Sequence, residues 1–327
     1  MTTLLRTALL AAAIAAPGSA FAAQSDTYPT RPIRLIVGFT PGGATDLVGR
    51  LVAEKLSERL GQQVVVDNRP GASGIIGARL VGSAQPDGYT LLISGSSISI
   101  VGSLYKDLNF DVSRDLQPVA LVATTPYVLV VHPSTGAKSV TDLIAYAKAR
   151  PGKVSYGAST PGTVQHLSTE MLKRLVGIDM LFVPYKGTGS MMPDILGGRL
   201  QAAMDNVTVL APHVKSGTLT ALAVSTIKRS PVLPGVPTLA ESGVPALRDF
   251  DTGGWFSMYT ALKTPPAIVK KLNTEIVALI QAPDVRERLL AFGATPLPGS
   301  PEDLRQQLGR EMPRWRKVIQ EAGLKAD

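Results

Sequence analysis

One stretch of this chain limits its folding choices more than any other, the run from Ile33 to Leu60. Ile33-Arg34-Leu35-Ile36-Val37 reads as a hydrophobic strand, and Gly38-Phe39-Thr40-Pro41-Gly42-Gly43-Ala44-Thr45-Asp46 as a glycine-rich turn. Leu47, Val48, Leu51, Val52, Leu56 and Leu60 then recur at helical spacing, the apolar face of an amphipathic helix. A strand delivered through a short turn to a helix is the unit of α/β architecture. The same turn has a chemical consequence. The first N–H groups of a helix lack intrahelical acceptors and sit at the positive end of its dipole, so such a turn suits an anion. Two glycines would equally serve a tight structural turn, and these residues alone leave both readings open.

The alternation continues along the chain. Gln63 to Asp67 reads as a buried strand, Ile75 to Val81 as a helix, Tyr89 to Ile93 as a strand ending in Ser94-Gly95-Ser96-Ser97, and Tyr127 to Val131 as a strand leading to a helix from Val140 to Ala149. The pattern then restarts. Strands at Lys153 to Gly157, Leu181 to Tyr185, Gln201 to Met204 and Leu219 to Val224 are separated by glycine turns and helical segments. A helix follows Thr264-Pro265-Pro266, and Ser300-Pro301-Glu302-Asp303 opens another by capping-box logic, with Pro313 expected to kink it. Two α/β units, each with polar or glycine loops at strand C-termini, predict a cleft between lobes, because ligands of open α/β sheets bind outside those strand ends.

Residues 1–22 have the grammar of a secretory leader. Arg6 precedes an apolar run from Thr7 to Ala16, Pro17-Gly18 breaks it, and Ala20-Phe21-Ala22 supplies the small-x-small cleavage pattern. That run is far short of the roughly 20 residues that cross a bilayer. The expected mature protein is therefore exported, cut after about Ala22. The chain of 327 residues suits two domains. It has no cysteine, which removes thiolate metal sites and cysteine nucleophiles. The net charge of +8 is dispersed, without a basic stripe, which argues against nucleic acid and for a mild attraction of small anions.

Catalytic signatures fail one at a time. Gly157-Ala158-Ser159-Thr160-Pro161-Gly162 is one residue too long for a G-x-S-x-G elbow. Ser103-Leu104-Tyr105-Lys106 and Ser225-Thr226-Ile227-Lys228 match S-x-x-K without its companion motifs. His132, His166 and His213 are too far apart for H-E-x-x-H, so no metal is expected, and His166 reads as a structural histidine. Gly71-Ala72-Ser73-Gly74-Ile75-Ile76-Gly77 lacks dinucleotide spacing and no Gly-Lys-Ser/Thr follows, so no nucleotide cofactor is expected.

The loops together resemble a known family. Val37 to Asp46, Asn68-Arg69-Pro70-Gly71-Ala72-Ser73-Gly74 and Pro86-Asp87-Gly88-Tyr89-Thr90-Leu91-Leu92 form one set. Val183-Pro184-Tyr185-Lys186-Gly187, Leu196-Gly197-Gly198, and Arg229-Ser230-Pro231 through Pro237 to Gly243 form another. In this order and spacing they are similar to the extracytoplasmic solute-binding proteins of tripartite tricarboxylate transporters, the Bug or TctC family. The resemblance implies a periplasmic-binding-protein fold of type II, with two α/β lobes closing over a small carboxylate. Lobe one would be residues 23–123 plus 250–327 and lobe two residues 124–249, with crossing segments near 121–130 and 251–261.

On that basis the backbone N–H groups of Gly42, Gly43 and Ala44 would hold the ligand carboxylate, with Phe39 as a wall. Asp46 would cap the helix or meet a polar ligand group. Ala72, Ser73 and Ser96 would line the pocket from lobe one. Ser159 and Thr163 would close on the ligand from lobe two, with Tyr185 and Asp205 lining the same cleft. Lys186 reads as a surface charge or a long-range attractor of anions. The expected function is capture of a small organic acid by a monomeric protein, without cofactor or chemistry, and its delivery to the membrane subunits of a transporter. A sensor that presents the same acid to a signalling receptor is the alternative, and a secreted hydrolase a remote one.

Overall fold

The computed structural model describes residues 28–104, 110–158 and 161–322. The expected leader, residues 1–22, and Ser159 lie outside the described residues. In chain order, β1 (Ile33–Val37), α1 (Ala44–Leu60), β2 (Val64–Asn68), α2 (Ile75–Gly82) and β3 (Thr90–Gly95) come first. β4 (Leu116–Val131), α3 (Val140–Lys148), β5 (Ser155–Ala158), α4 (Val164–Val176), β6 (Leu181–Pro184) and α5 (Thr188–Leu196) follow. Then come β7 (Ala202–Asn206), α6 (Val207–Lys215), β8 (Thr220–Val224) and β9 (Gly253–Ala261). The chain finishes with α7 (Pro266–Gln281), α8 (Pro283–Ala291), β10 (Thr295–Gly299) and α9 (Pro301–Ala322).

β1 lies between β2 and β3 and is parallel to both, and β3 pairs antiparallel with β9. In the other half, β5 is parallel to β6 and to β7. β4 joins the halves. Its Leu116–Pro126 segment pairs with β9, and its Tyr127–Val131 segment with β7 on one side and β8 on the other. Two register shifts in the β4–β9 ladder fall before Pro126, and irregularities of this kind bend a strand. One 16-residue strand thereby carries the pairing of both halves, in the continuous order β2-β1-β3-β9-β4-β7-β5-β6.

Helices cover both faces of both sheets, and side chains alternate accordingly. Ile33, Leu35 and Val37 join one buried cluster with Val48, Leu272 and Ile276, while Ile36 points to another with Ile75 and Tyr259. In the second half Tyr127, Leu129 and Val131 pack with Tyr156 and Leu167, and Val128 and Val130 pack with Met191 and Leu210. The β-branched and leucine-rich strands of the sequence are this two-sided burial written out.

Helix ends follow local chemistry. α1 stops at Gly61, whose φ of 65° lets its N–H reach back to Ser57 O. α4 starts at Thr163, whose hydroxyl oxygen accepts from His166 N. Ser300 and Asp303 exchange two bonds at the start of α9, the expected reciprocal cap, with Ser300 N donating to Asp303 Oδ2 and Asp303 N to Ser300 Oγ.

α9 includes Pro313 within one helix. It is held on both sides of the proline, by Leu304 and Leu308 in a first-sheet cluster and by Trp315 and Ile319 in a second-sheet cluster, and that burial outweighs one lost hydrogen bond. β10, Thr295-Pro296-Leu297-Pro298-Gly299, is an unforeseen strand because two prolines mask it. It pairs with β4 alone, and an edge position tolerates a missing N–H.

Trp315, 1 % exposed, fixes the end of α9 in the second-sheet core and donates from Nε1 to Glu311 Oε2. Trp315→Ala should cost about 3–5 kcal/mol of unfolding free energy, read from urea midpoints; a loss below about 1 kcal/mol would mean that α9 does not depend on this anchor.

Candidate ligand-binding site

A cavity of about 420 Å³, counting its open mouth, lies where the two sheets meet around β4 and β9. Its first-sheet wall is the β1–α1 turn, through Phe39, Gly43, Ala44 and Thr45, and the end of β3, through Gly95, Ser96 and Ser97. Tyr127 of β4 and Gly254, Trp255 and Phe256 of β9 form its back. Gln165 of α4, Thr188 of α5 and Asn206 at the end of β7 close the other side. Most of these residues sit at strand C-termini or in the first turn of the following helix, where an open α/β sheet binds ligands.

The first-sheet wall is rich in donors. α1 begins at Ala44 after Gly43, which provides no side-chain cap, so its first N–H groups lack intrahelical acceptors at the positive end of the dipole. Gly43 is extended, with φ −80° and ψ 165°. Ser96 Oγ lies 3.2 Å from the Tyr127 hydroxyl, and burial pushes that phenol far above its ordinary pKa, so it stays protonated. Trp255 is 3 % exposed, and its Nε1 has no hydrogen-bond partner among the described residues.

The opposite wall is organised from behind. Asp205 is fully buried, and its Oδ1 accepts from Asn206 N at 2.7 Å, Asn206 Nδ2 at 3.0 Å and Gln165 Nε2 at 3.3 Å. Its Oδ2 accepts from Thr188 Oγ1 at 2.8 Å. Burial raises the Asp205 pKa, and the bonds from Asn206, Thr188 and Gln165 act against that rise. Among the described residues no Lys, Arg or His lines the cavity.

The residues singled out from sequence divide. Phe39, Gly43, Ala44 and Ser96 line the cavity. Asp205 stands behind its wall and touches the space through its neighbours. Gly42 does not line it, and its N–H donates to Asp46 Oδ2 at 3.0 Å, so that donor is not available to a ligand. Asp46 is 2 % exposed and also accepts from Arg50 Nε and Asn68 Nδ2, which places it in the structural alternative, as the buckle of the turn. Burial pushes its pKa up, but the Arg50, Gly42 and Asn68 bonds outweigh this and hold it below the usual carboxylate range.

Ala72 and Ser73 are also off the cavity wall. They adopt φ of 45° and 55°, uncommon for residues with a Cβ, and Ser73 Oγ donates to Pro161 O at 2.8 Å, across from the β2–α2 turn of the first sheet to the β5–α4 turn of the second. The approach is equally tight nearby, where a Cβ on Gly189 would lie 2.3 Å from Pro41 O. Thr163 is buried as the α4 cap, away from the wall. Tyr185 turns its hydroxyl to Asp194 instead, donating to Oδ2 at 2.5 Å. Both were expected to face the cleft because they end strands or start helices, but the side-chain bond each makes decides its direction.

Gln165, Thr188, Asn206, Tyr127 and Trp255 were not foreseen. Thr188 and Asn206 adjoin motifs that were quoted, so position after a strand was the available signal. Tyr127 and Trp255 lie on strands whose inward face is defined only once β4 and β9 pair.

A family model described as TctC, tripartite tricarboxylate transporter family receptor, matches residues 48–324. The chain is 41% identical to Protein BugT of Bordetella pertussis over 95% of either chain. The solved structure of R. palustris Rpa4515 with adipate is similar at a TM-score of 0.88 and 40% identity, covering 91% of this chain and 99% of that one. The periplasmic binding protein BugD is similar at 0.87 and 34%, covering 92% and 100%. The two-lobed α/β fold is that of periplasmic binding proteins.

His166, one turn into α4, is 6 % exposed, accepts from Gly162 N at its Nδ1 and stacks 4.2 Å from the Phe182 ring centroid. Burial lowers its pKa to about 4. An unfolded histidine titrates near 6.5, so between these values the unfolded chain binds the extra proton and stability falls as pH drops. The full effect is about 3 kcal/mol. In His166→Gln the decline in urea-unfolding free energy from pH 7 to pH 4.5 should be shallower by most of that amount; an unchanged slope would mean His166 is protonated in the folded protein.

Proposed function

The chain belongs to the tripartite tricarboxylate transporter receptor (TctC) family, and from that membership we propose that it is a periplasmic binding protein that captures a small organic acid and delivers it to a membrane transporter. The observation that carries the reading is the uncapped N-terminus of α1, with Gly43 and Ala44 on the wall of the cavity. A carboxylate held there meets fixed N–H donors and a favourable dipole, and so needs no buried Arg or Lys partner. The adipate named in the Rpa4515 structure supports an acid of this size.

In this reading the lobes are residues 23–123 with 250–327, and residues 124–249, and they pivot on β4 and β9. The Ser73–Pro161 bond and the contact of Gly189 with Pro41 belong to the closed state, and the ligand shifts the population toward it by touching both walls. The leader at 1–22 exports the chain, which acts as a monomer. The family's description as a transporter receptor supports delivery to membrane subunits. Steady turnover of a carboxylic ester by the purified protein would mark a hydrolase instead.

A panel of organic acids screened by thermal and urea unfolding tests the proposal. A true ligand at about a hundred times its Kd should add roughly 2.7 kcal/mol, and its amide analogue should add nothing. No stabilisation by any acid would reject it. Gly43→Val should keep the fold, since its backbone is extended and a Cβ meets only Thr40 O at 3.5 Å, yet it should remove the stabilisation by the acid. Retained binding would take the α1 turn out of the site.

A further inference from the structure

Resting on the carboxylate-binding reading, we propose that Asp205 sets the second-sheet wall of the cavity to accept hydrogen bonds, so that the ligand is a carboxylate whose other end carries a hydrogen-bond donor, a hydroxyl or an ammonium, rather than a second carboxylate. Four donor atoms converge on the Asp205 carboxyl, Asn206 N and Nδ2, Gln165 Nε2 and Thr188 Oγ1, and each side chain that gives its donor to Asp205 keeps its acceptor for another group. Gln165 turns Nε2 to Asp205 Oδ1, which directs its Oε1 elsewhere, and that oxygen is buried with no hydrogen-bond partner among the described residues. Gln165 as a whole is 9 % exposed and lines the cavity. Thr188 commits its only hydroxyl proton to Asp205 Oδ2, and what it offers any other group is a lone pair. Asn206 turns Nδ2 inward in the same way.

Three cavity-lining side chains therefore turn acceptors away from Asp205. A ligand carboxylate on this side would set its oxygens against lone pairs. A donor there meets the unpartnered Gln165 oxygen. The first-sheet wall has the opposite character, with the N–H groups at the start of α1 and the unpartnered Trp255 Nε1. A ligand that satisfies both walls is an acceptor at one end and a donor at the other. Asp205 acts through Gln165, Thr188 and Asn206, and is a positioning residue.

Isothermal titration with acids matched in size tests this in three frames. These are butyrate, 4-hydroxybutyrate, 4-aminobutyrate and succinate; the corresponding hexanoate series ending in adipate; and 4-methylbenzoate, its hydroxymethyl and aminomethyl counterparts, and terephthalate. In the frame that fits, a donor-bearing acid should bind about tenfold or more tighter than both the methyl-ended acid and the dicarboxylate, because an unmet buried acceptor is costly. The hydroxyl and amine arms tell a neutral donor from a cationic one, and preference for either supports the proposal. Asp205→Asn, which lets its three neighbours reorient, should shrink that preference to about threefold or less. Gln165→Met, which buries no new charge and removes the acceptor, should do the same while the methyl-ended acid still binds. A merely structural role would weaken all members of a frame in parallel. A dicarboxylate that binds as tightly as its donor-bearing partner overturns the inference and leaves the carboxylate reading standing, as does a preference unmoved by both substitutions. No binding by any member of the three frames overturns both.

Discussion

The structure depends on one backbone constraint, the sharing of β4 between two sheets. Its first part is hydrogen-bonded to β9 and its last part to β7 and β8, so the sheets cannot separate without breaking a continuous strand. The β4–β9 ladder is itself irregular, with register shifts between Pro118 and Ala120 and between Leu121 and Ala123. The parallel strands of each half deliver their turns to the junction, and the cavity lies where those turns meet. α9 braces the same junction, with Leu304 and Leu308 in one core and Trp315 and Ile319 in another.

The polar design of the cavity follows from what can be buried there. A cation on the wall would have to be desolvated as an acid bound, and among the described residues the wall instead presents backbone N–H groups and neutral side chains. Asp205, buried close by, is surrounded by four donor atoms, which lessens the cost of burying a carboxyl group. Asp46 shows the same economy in the β1–α1 turn, where Gly42, Arg50 and Asn68 converge on it and stiffen the loop that carries Gly43 and Ala44. The two buried acids thus shape the site from behind its walls.

Much of the fold was legible because it is locally encoded. Ile33 to Val37 and Tyr127 to Val131 alternate between two apolar cores, and apolar residues on both faces are the signature of a covered sheet. Glycine after α1 and the Ser300–Asp303 cap mark helix ends through interactions only a few residues long. β10 was illegible because Pro296 and Pro298 remove the strand signal, and the strand exists through its edge position beside β4. The site was legible by loop and not by side chain. Turns after β1, β3 and β7 were recognisable, but which of Ser73, Ser96, Thr163 and Tyr185 faces the cavity depends on the partner each takes, Pro161 and Tyr127 from remote segments and His166 and Asp194 from nearby ones.

By itself the sequence determined the alternation of strands and helices, the glycine turns at strand ends and the family, since these rest on local periodicity and on motif order. Only the tertiary structure decided that β4 serves both sheets and that Tyr127 and Trp255 turn inward. It also decided that Asp46 and Asp205 act through neighbours. The reason is physical: a side chain's role follows from what lies opposite it, and part of that comes from another segment, Ser96 for Tyr127, Gln165 for Asp205 and Asn68 for Asp46. The α1 turn remained the anion-facing element, with its donors at Gly43 and Ala44 and with Gly42 held by Asp46.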